Sequence, residues 1–410
     1  MALVVTLSEP LAIDPVGREE HYWVADDNGM VSRGQLAAAS GPYESTLPVR
    51  IANYSPRLPP DLGADVEEAA AALARFDDYA RGRLGAENPT LGPMSSILLR
   101  TESTSSSQIE NLTVGARQLA LAELDQSNSD NARVVVANVR AMEAALALAD
   151  KLDEAAILAM QAELLSRQRG WEEHAGNYRD GLVWVGSTSV SPRGAQHIAP
   201  QAEQVPEAMA DLVRFMHRDD LPVLVQAAVA HAQFETIHPF GDGNGRTGRA
   251  VVHAILKAKG VVTHTTAPVS AGLLIQTEEY FDALGAFRDG DARPIVERFT
   301  AASRFAASSG SGLVDDLAGQ VDASRQSMKG LRRQASAWKV LPCLVAQPVI
   351  NARFLADHLG LNDMTAQRAL GQLTEAGVLE ERTGLRRNRV WQHAGILRVL
   401  DAYAQRLRRG

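Results

Sequence analysis

The chain of 410 residues has one cysteine, few aromatic residues and no long uninterrupted apolar run. The single Cys343 excludes an internal disulfide bond and a zinc site made of cysteines. No run of about 18 apolar residues, which a membrane-spanning helix requires, occurs. The start, MALVVTLSEPLAIDP, has neither the basic region nor the full apolar region of a secretion signal. These absences predict a cytoplasmic protein with no membrane partner.

The composition that is present is globular, and its charge is uneven. Hydrophobic residues make up 45% of the chain and charged residues 22%, which excludes a disordered chain and allows two or three domains. The net charge is −8, but residues 341–410 contain ten Arg and six Asp or Glu and carry +4, which leaves −12 for residues 1–340. An acidic body and a basic tail are expected to bind different partners.

Apolar residues at helical spacings predict a mainly α fold. The helical pattern occurs in VEEAAAALARFDDYARGRL, in SSILLRTESTSSSQIENL and in ARVVVANVRAMEAALALADKL, the last of which has Val, Ala, Met and Leu at helical spacings. In residues 181–200, GLVWVGSTSVSPRGAQHIAP, a β-rich run meets turn-forming residues, which predicts a hairpin. The first sixty residues mix short β-like runs with Pro and Gly and are expected to be irregular.

The second half of the chain suggests a flexible break and a small terminal domain. The stretch AASSGSG at residues 306–312 predicts a linker. The tail has the pattern helix, turn around Gly360, helix capped by Asp363, and two β-like runs around an arginine-rich turn, which is typical of a winged helix-turn-helix. The predicted domains are an N-terminal region over residues 1–125, a core over 126–305, a linker and connecting helix over 306–340, and the winged helix-turn-helix over 341–410.

The most informative stretch is HPFGDGNGRTGR at residues 238–249, which lies between two apolar helical runs. Because Pro239 biases the residue before it away from helical dihedral angles, the first helix is expected to stop at His238 and to hold its imidazole at a fixed edge. An imidazole can take a proton at neutral pH. The glycines let backbone N–H groups converge on an anion in front of the next helix.

Charged side chains complete the predicted phosphate site. Arg246 and Arg249 are three residues apart in the first turn of the second helix, so their guanidinium groups face one side. Asp242 is the only acid of the loop, and a carboxylate beside phosphate oxygens commonly holds Mg²⁺. Phosphate binding alone needs no histidine. The presence of His238 therefore predicts a reaction in which this residue deprotonates a hydroxyl group, which then attacks a phosphoryl group. The alternative interpretation is an ordinary glycine-rich turn with solvated arginines. It accounts for any one of these residues, but not for all of them together in this order.

The motif resembles the signature of the Fic family, H-x-F-x-D/E-G-N-G-R-x-x-R, at every specified position. The resemblance extends over roughly residues 65–300 and implies a Fic-type helical core with a β-hairpin flap. The implied activity is transfer of AMP from the co-substrate ATP, with Mg²⁺, to a Ser, Thr or Tyr hydroxyl of a target protein or of the chain itself. Pyrophosphate is the other product.

The resemblance also implies a role for each matching residue. His238 would be the base, Asp242 the Mg²⁺ ligand, Asn244 with the loop amides the cradle of the α-phosphate, and Arg246 with Arg249 the clamp on the β and γ phosphates. Two aromatic residues would pack around the adenine. The ATP-binding set would be Gly243, Asn244, Gly245, Arg246, Thr247, Gly248, Arg249, Tyr280 and Phe281. The flap would bind the target by strand addition through Val185, Gly186, Ser187 and Thr188.

A second segment, SSQIEN at residues 106–111, is similar to the inhibitory pattern of the same family, S/T-x-x-x-E-G/N. Ser106, Glu110 and Asn111 occupy the fixed positions, in an inhibitory helix over about residues 93–112. A Glu110 carboxylate paired with Arg249 would remove one arm of the γ-phosphate clamp and misalign ATP. A solvated helix acid is the alternative interpretation, but the position ahead of a full Fic motif favours inhibition.

Two other functions stay open at the level of sequence. A DNA-binding transcriptional regulator could use the Fic core as a nucleotide sensor or for self-modification. Its base contacts would come from Thr365, Gln367 and Arg368, and its phosphate contacts from Arg382, Arg386, Arg387 and Arg389. The same terminal fold also serves protein contacts, and relatives often form a homodimer. A deAMPylating enzyme would use the same pocket, with Glu110 orienting a water molecule.

His231 lies seven residues before His238, so a metal-binding pair is conceivable. No His-x-x-x-His spacing or carboxylate partner completes such a site in the sequence. We therefore expect His231 to be a hydrogen-bonded histidine of the core.

Overall fold

A computed structural model describes residues 9–25, 34, 38–84, 91–166, 168–186, 190–382 and 389–408. This part of the chain is mainly α-helical, which confirms the predicted fold class. None of its helices is both long enough and apolar enough to cross a membrane. The helices are α1 Pro60–Leu84, α2 Leu91–Ile109, α3 Ala116–Glu123, α4 Asp130–Ala147, α5 Glu154–Leu165, α6 Val205–Met216, α7 Val223–Ile237, α8 Asn244–Ala258, α9 Val269–Ile275, α10 Thr277–Arg288, α11 Arg293–Ser327, α12 Ala337–Val340, α13 Cys343–Ala346, α14 Ala352–Leu359, α15 Asp363–Glu375 and α16 Ala394–Leu407.

The described strands are short and form three small antiparallel sheets. They are β1 Gly17–Trp23, β2 Gly41–Leu47, β3 Trp184–Val185, β4 His197–Ile198, β5 Val349–Ile350, β6 Glu380–Glu381 and β7 Trp391–Gln392. The β3–β4 pair confirms the hairpin predicted in residues 181–200.

The expectation that the first sixty residues are irregular is wrong for β1 and β2. These strands pair in register from Gly17 opposite Leu47 to Trp23 opposite Gly41. The charged residues of GREEHYW point largely outward, so the sequence shows no continuous apolar run there. The apolar run LVVTL, which is the most β-like part of this region in sequence, lies outside the described residues.

The chain divides into two compact units, each assembled from three separate stretches. The first unit contains residues 1–68, 144–259 and 278–300, and the second contains residues 69–143, 260–277 and 301–410. The four consecutive domains predicted from sequence do not coincide with these units. The predicted boundaries were placed where the composition changes along the chain. Such changes can mark only consecutive domains, whereas each of these units combines segments from several parts of the sequence.

The first unit places the glycine-rich stretch between two packed helices. Every residue of α7 from Leu224 to Ile237 is buried, and α8 packs beside α7. A Cβ atom at Gly248 would lie 2.9 Å from Phe234, so glycine is needed for the two helices to approach this closely. The loop between them is thus attached at both ends to the core of this unit.

The linker predicted at residues 306–312 is wrong, because these residues lie inside the continuous helix α11. Neighbouring positions are buried, including Ala306 and Leu313. Gly310 faces the buried ring of Phe76 within the second unit, where a Cβ atom would come within 2.8 Å. The small residues thus allow close packing of a helix, and they do not provide flexibility.

The tail contains the predicted order of helix, turn and helix. Gly360 ends α14 in a left-handed conformation with φ of 63°, as expected for a turn glycine. The predicted cap, Asp363, is wrong by one residue, because the Asn362 side chain accepts the hydrogen bond from the Thr365 N–H at 2.9 Å. Strands β6 and β7 pair beyond α15. The tip between them, with Arg386 and Arg387, lies outside the described residues.

The packing of α11 can be tested with two glycines two positions apart. Gly310→Ala should lower the free energy of unfolding by about 1–2 kcal/mol, because overpacking against Phe76 outweighs the gain in helix propensity. Gly312→Ala should raise it by about 0.5–1 kcal/mol, because a Cβ atom there meets nothing within 4 Å. Urea unfolding of both variants measures the difference. Equal effects at the two positions would contradict the packed helix.

Candidate active site

Helix α7 ends at Ile237, as Pro239 predicts, and His238 follows it in a left-handed conformation. His238 has φ of 49° and ψ of 61°, which is uncommon for a residue other than glycine. Its backbone N–H still donates to the Phe234 carbonyl at 2.8 Å. The left-handed turn directs the chain away from the helix axis, so the loop begins at a fixed point.

The ring of His238 is oriented by the last turn of the same helix. Its Nδ1 lies 3.3 Å from the Glu235 carbonyl oxygen and 3.6 Å from the Glu235 carboxylate. A hydrogen bond to the carbonyl requires the proton on Nδ1, which puts the basic lone pair on Nε2. The side chain is 18% exposed, so a reactant can reach it. This geometry would let His238 act as a general base, and that role stays a prediction.

Asn244 closes the loop on itself. Its side-chain Oδ1 accepts from the Phe240 N–H at 2.9 Å, and its Nδ2 donates to the Phe240 carbonyl at 2.8 Å. Phe240 is fully buried and anchors the loop against the core. Both polar atoms of the Asn244 side chain thus hold the loop, and the backbone N–H of this residue lies at the start of α8.

Among the loop glycines, only Gly243 has a positive φ, of 82°. A Cβ atom at Gly243 would lie 2.5 Å from Leu164, so both the conformation and the space require glycine. Gly245 lies in the first turn of α8, and Gly248 serves the packing of α7 against α8. The predicted convergence of loop N–H groups therefore depends on one left-handed residue, directly before the positive end of the α8 dipole.

Both predicted arginines are almost completely buried, with exposed fractions of 4% for Arg246 and 2% for Arg249. Nη2 of Arg246 bonds to Asp242 at 3.2 Å. In the described part of the chain, Nε and Nη1 of Arg246 are buried without a hydrogen-bond partner, as is the hydroxyl of Thr247. Buried donors of this kind are rare in folded proteins, and the paired donors of a guanidinium group suit the oxygens of a phosphate.

Asp242 is held on several sides yet stays 32% exposed. Its carboxylate accepts from the Gln168 amide at 2.7 Å, from the Gly243 N–H at 2.7 Å and from Arg246. Within the ranges that the structure describes, no three His, Cys, Asp or Glu side chains form a metal cluster. One accessible carboxylate fits Mg²⁺ only when the other ligands are phosphate oxygens and water, which is how this ion binds nucleotides.

The fold gives different burial to the two aromatic residues predicted to surround adenine, although their rings are in contact with centroids 5.2 Å apart. Tyr280 is 1% exposed, whereas Phe281 is 48% exposed. The Tyr280 hydroxyl lies 2.7 Å from His231 Nε2, and the two rings stack with centroids 5.8 Å apart. Tyr280 is therefore a core residue here, and only Phe281 presents its ring to solvent. His231 is a buried, hydrogen-bonded histidine, as expected.

In the flap, residues 181–200, Trp184 pairs with Ile198 and Val185 pairs with His197. Val185 is 44% exposed, so one edge residue of the short strand is accessible. Gly186 has φ of 88°, and a Cβ atom there would clash with Gln196. Ser187 and Thr188 lie outside the described residues, so their predicted contact with a target stays a prediction.

Two residues near the motif were not found from the sequence. Arg179 is 7% exposed, and its guanidinium donates to the His238 carbonyl at 2.8 Å. His197 is 4% exposed, and its Nε2 lies 3.0 Å from the Thr236 carbonyl. Both bind carbonyl oxygens that are far away in sequence, so neither spacing nor motif gives a signal for them.

In the second unit, α2 ends one residue before Glu110, so the predicted inhibitory helix over 93–112 is shorter at its C terminus. The Asn111 N–H bonds to the Gln108 carbonyl and the Leu112 N–H to the Ser107 carbonyl, which forms a Schellman cap. Asn111 is left-handed with φ of 61°, a conformation that glycine and asparagine adopt most easily.

The fold thus explains why the last position of this motif is Gly or Asn. Ser106 is fully buried, and Glu110 is an exposed residue at the helix end. Glu110 and Arg249 belong to different units, and the ion pair between them stays a prediction.

The buried His231 should make stability depend on pH. Burial, together with the positive charge of Arg249, lowers the pKa of His231 from 6.5 to about 3. Below about pH 6.5 the unfolded chain takes up a proton that the folded chain does not, so stability falls as pH decreases. Between pH 7 and pH 5 this one group should cost about 2 kcal/mol. His231→Gln, measured by urea unfolding at both pH values, should remove that part of the loss; an unchanged loss would contradict it.

Comparison with known proteins agrees with the motif. Residues 151–256 match the family model described as Fic/DOC family, and residues 64–147 match the model described as Fic/DOC family N-terminal. The protein adenylyltransferase fic-1 of Caenorhabditis briggsae is 34% identical over 127 residues, which are 30% of this chain and 22% of that protein. A probable protein adenylyltransferase of Aquifex aeolicus is 31% identical over 108 residues, 26% of this chain and 31% of that protein.

The chain therefore spans less than a third of the length of these curated relatives. Among solved structures, a Fic family protein from Desulfovibrio desulfuricans G20 shares the fold, with a TM-score of 0.52 and 24% identity. The alignment covers 83% of this chain and 98% of that protein. Residues 64–147 and 151–256, the second of which contains the complete motif at residues 238–249, therefore match the Fic/DOC family.

Proposed function

We propose that the chain is a protein adenylyltransferase that transfers AMP from Mg-ATP to a hydroxyl side chain and releases pyrophosphate. The observation that carries this proposal is the buried Arg246, whose Nε and Nη1 lack an acceptor in the described structure. Arg246 lies in the first turn of α8, and the base His238 begins the loop that leads into this helix. The names of the relatives as protein adenylyltransferases support the same reaction.

The proposed step is a displacement at the α-phosphorus. Nε2 of His238 takes the proton of the incoming hydroxyl, and the hydroxyl oxygen forms a bond to the α-phosphorus. The bond between the α-phosphorus and the oxygen that bridges to the β-phosphate breaks, and pyrophosphate leaves with that electron pair. The N–H groups at the start of α8 stabilise the charge on the α-phosphate during attack.

The buried arginines orient the leaving group. Arg246 and Arg249 would bind the β and γ phosphates, where desolvation makes charge-assisted hydrogen bonds strong. Asp242, which Gln168 and the Gly243 N–H hold in place, would ligate Mg²⁺. When bound, the ion neutralises charge on the leaving phosphates. Phe281 offers the exposed ring for adenine, whereas Tyr280 would act from the core by fixing His231.

The flap would present the acceptor. Val185 is exposed on a strand of two residues, and the backbone of such a strand can pair with an extended target segment. This pairing fixes the target backbone without reading its side chains, apart from the one hydroxyl that reaches His238. The same geometry allows the acceptor to be another copy of this chain.

We further propose that Glu110 inhibits the reaction by competing with the γ-phosphate for Arg249. The Schellman cap supports this role, because it ends α2 at a defined residue and fixes the place where the Glu110 backbone leaves the helix. The hydrogen bonds from Asn138 to the Ser103 carbonyl and the Ser107 hydroxyl hold this last turn within the second unit. A carboxylate whose backbone is held in place competes with the γ-phosphate for Arg249 better than a carboxylate on a frayed helix end does.

The function and its inhibition can be tested together with α-labelled ATP. Glu110→Gly should raise the incorporation of label about 10- to 100-fold, and Glu110→Gln should raise it similarly if the charge is what inhibits. His238→Ala in the Glu110→Gly background should abolish incorporation, because the hydroxyl then lacks its base.

Mass spectrometry after incubation with Mg-ATP and host lysate identifies the adduct and the acceptor. Addition of AMP supports the proposal, whereas addition of phosphate alone would redirect it to kinase-type transfer. Equal labelling by wild type and Glu110→Gly would refute inhibition, and labelling by the His238→Ala chain would refute the base. Faster loss of AMP from a labelled acceptor in the presence of the wild-type chain than with Glu110→Gly would instead indicate the deAMPylating reaction.

A second function, DNA binding, is supported by the tail. The helix pair α14 and α15 and the strands β6 and β7 have the order of a winged helix-turn-helix. Gln367 and Arg368 are exposed on α15, whereas Thr365 is only partly exposed. Arg389 is held by Glu381 at 2.6 Å and stacks on Trp391, which fixes the base of the predicted wing. We propose that α15 contacts base edges and that the wing contacts phosphates.

DNA binding should show the salt dependence of phosphate contacts. The affinity of the full chain for a labelled random duplex should fall about 10- to 100-fold between about 50 and 200 mM salt, as expected for a few phosphate contacts. Arg368→Ala should weaken binding, whereas Arg214→Ala, which removes an exposed arginine of the first unit, should not. Fluorescence anisotropy measures both. No binding at low salt, or binding that is insensitive to salt, would favour a protein partner for the tail.

A further inference from the structure

The carbonyl oxygens at the end of α7 are bound by side chains that belong to, or adjoin, the flap. We infer that Arg179 and His197 are positioning residues, which fix the flap and the base His238 as one hydrogen-bonded assembly. This inference rests on the proposed transfer reaction, because it concerns the alignment of a flap-bound acceptor with the base. Neither residue would touch the reacting atoms.

Arg179 connects three points of the first unit through one guanidinium group. Nη1 donates to the carbonyl of Gly181 at 2.8 Å, and Nη2 donates to the carbonyl of Pro200 at 2.6 Å. These are the first and last residues of the flap. Nε donates to the His238 carbonyl at 2.8 Å, and Nη2 also reaches the Ile237 carbonyl at 3.4 Å. The ends of the flap and the end of α7 therefore share one side chain.

The charge of Arg179 suits this position. Burial lowers its pKa to about 10, so the side chain stays protonated at neutral pH. Carbonyl oxygens at the C terminus of a helix carry partial negative charge and lack partners within the helix. A buried cation there satisfies them and stabilises the left-handed His238, whose carbonyl has turned away from the helix axis. The backbone N–H of Arg179 adds a bond to the Pro239 carbonyl at 3.0 Å.

His197 supplies a second connection from inside the flap. It lies on β4 opposite Val185, and its Nε2 lies 3.0 Å from the Thr236 carbonyl. Burial and the nearby positive charge of Arg288 hold the pKa of His197 well below its usual range, so its ring is neutral and Nε2 carries the donor proton. The ring also meets the ring of His238 edge-on, with centroids 6.3 Å apart.

The three carbonyls of residues 236, 237 and 238 thus receive donors from His197 and Arg179. A target segment paired with β3 is placed relative to β4, and β4 is placed relative to His238 by these bonds. A displacement of about 1 Å between a bound hydroxyl and its base can cost about 100-fold in rate. Loss of the assembly should therefore slow the transfer step and leave the binding of ATP almost unchanged.

The test uses the full chain with Glu110→Gly, Mg-ATP labelled at the α-phosphate, and the chain itself or the acceptor found by mass spectrometry. Arg179→Lys, which keeps the charge but cannot reach four carbonyls, should lower kcat about 100-fold and change KM for ATP less than about threefold. Millimolar guanidinium ion should restore part of the activity of Arg179→Ala. His197→Gln should keep most of the rate, because its amide can donate to the Thr236 carbonyl, whereas His197→Leu should not.

Arg218→Lys is the matched control. Arg218 also donates to backbone carbonyls, those of Ala52 and Tyr54, and within the described residues its bonds and ring contact lie outside the flap and the motif. Its replacement should leave kcat unchanged. A further measurement is independent of activity: trypsin should cleave after Arg193 in the flap faster in Arg179→Lys than in the parent chain.

The outcomes separate the two ideas. If the Glu110→Gly chain with native Arg179 attaches no AMP, the proposed function fails. If that chain is active and Arg179→Lys keeps its kcat and its resistance to trypsin, the inference fails and the function stands. If Arg179→Lys lowers kcat only together with a loss of ATP binding and of thermal stability equal to that of an unfolding variant, Arg179 is structural only and the inference is also wrong.

Discussion

The left-handed ending of α7 at His238 is the constraint on which the rest of the site depends. It stops a helix that is buried on every side, turns the chain into the loop and leaves carbonyl oxygens that need donors. Arg179 and His197 supply those donors from the flap, and Glu235 orients the imidazole from within the helix. The left-handed conformation of His238 thus determines the orientation of its imidazole and the point where the phosphate loop begins. It also places the carbonyl groups to which the flap is bonded.

The loop itself is rigid for a reason that is separate from its ligand. Asn244 bonds to both backbone groups of Phe240, and Phe240 is buried, so the residues from 240 to 244 form a closed unit before any nucleotide binds. A loop that is already ordered loses little conformational entropy when a phosphate arrives. The glycine content of the motif therefore reflects close packing and one unusual dihedral angle rather than mobility.

The motif and its secondary structure could be predicted from sequence because they depend on neighbours in the chain. Pro239 ends α7, and Arg246 and Arg249 lie near the start of α8, as spacing requires. Prediction failed where distant residues decide. The glycines and serines of residues 306–312 are helical because Phe76 packs against Gly310. The adjacent Tyr280 and Phe281 have opposite environments because only Tyr280 meets His231. Arg179 gave no signal, since its partners are carbonyl groups.

The burial of the two arginines has a consequence for turnover in a transferase of the proposed kind. Arg246 and Arg249 are 4% and 2% exposed, and pyrophosphate carries the same charged oxygens that they would bind in ATP. The leaving group therefore stays attached to its strongest ligands after the α-phosphorus has been transferred. Breaking desolvated, charge-assisted hydrogen bonds takes time after the chemical step. Departure of pyrophosphate would then be a separate slow step that follows formation of the new ester in each cycle.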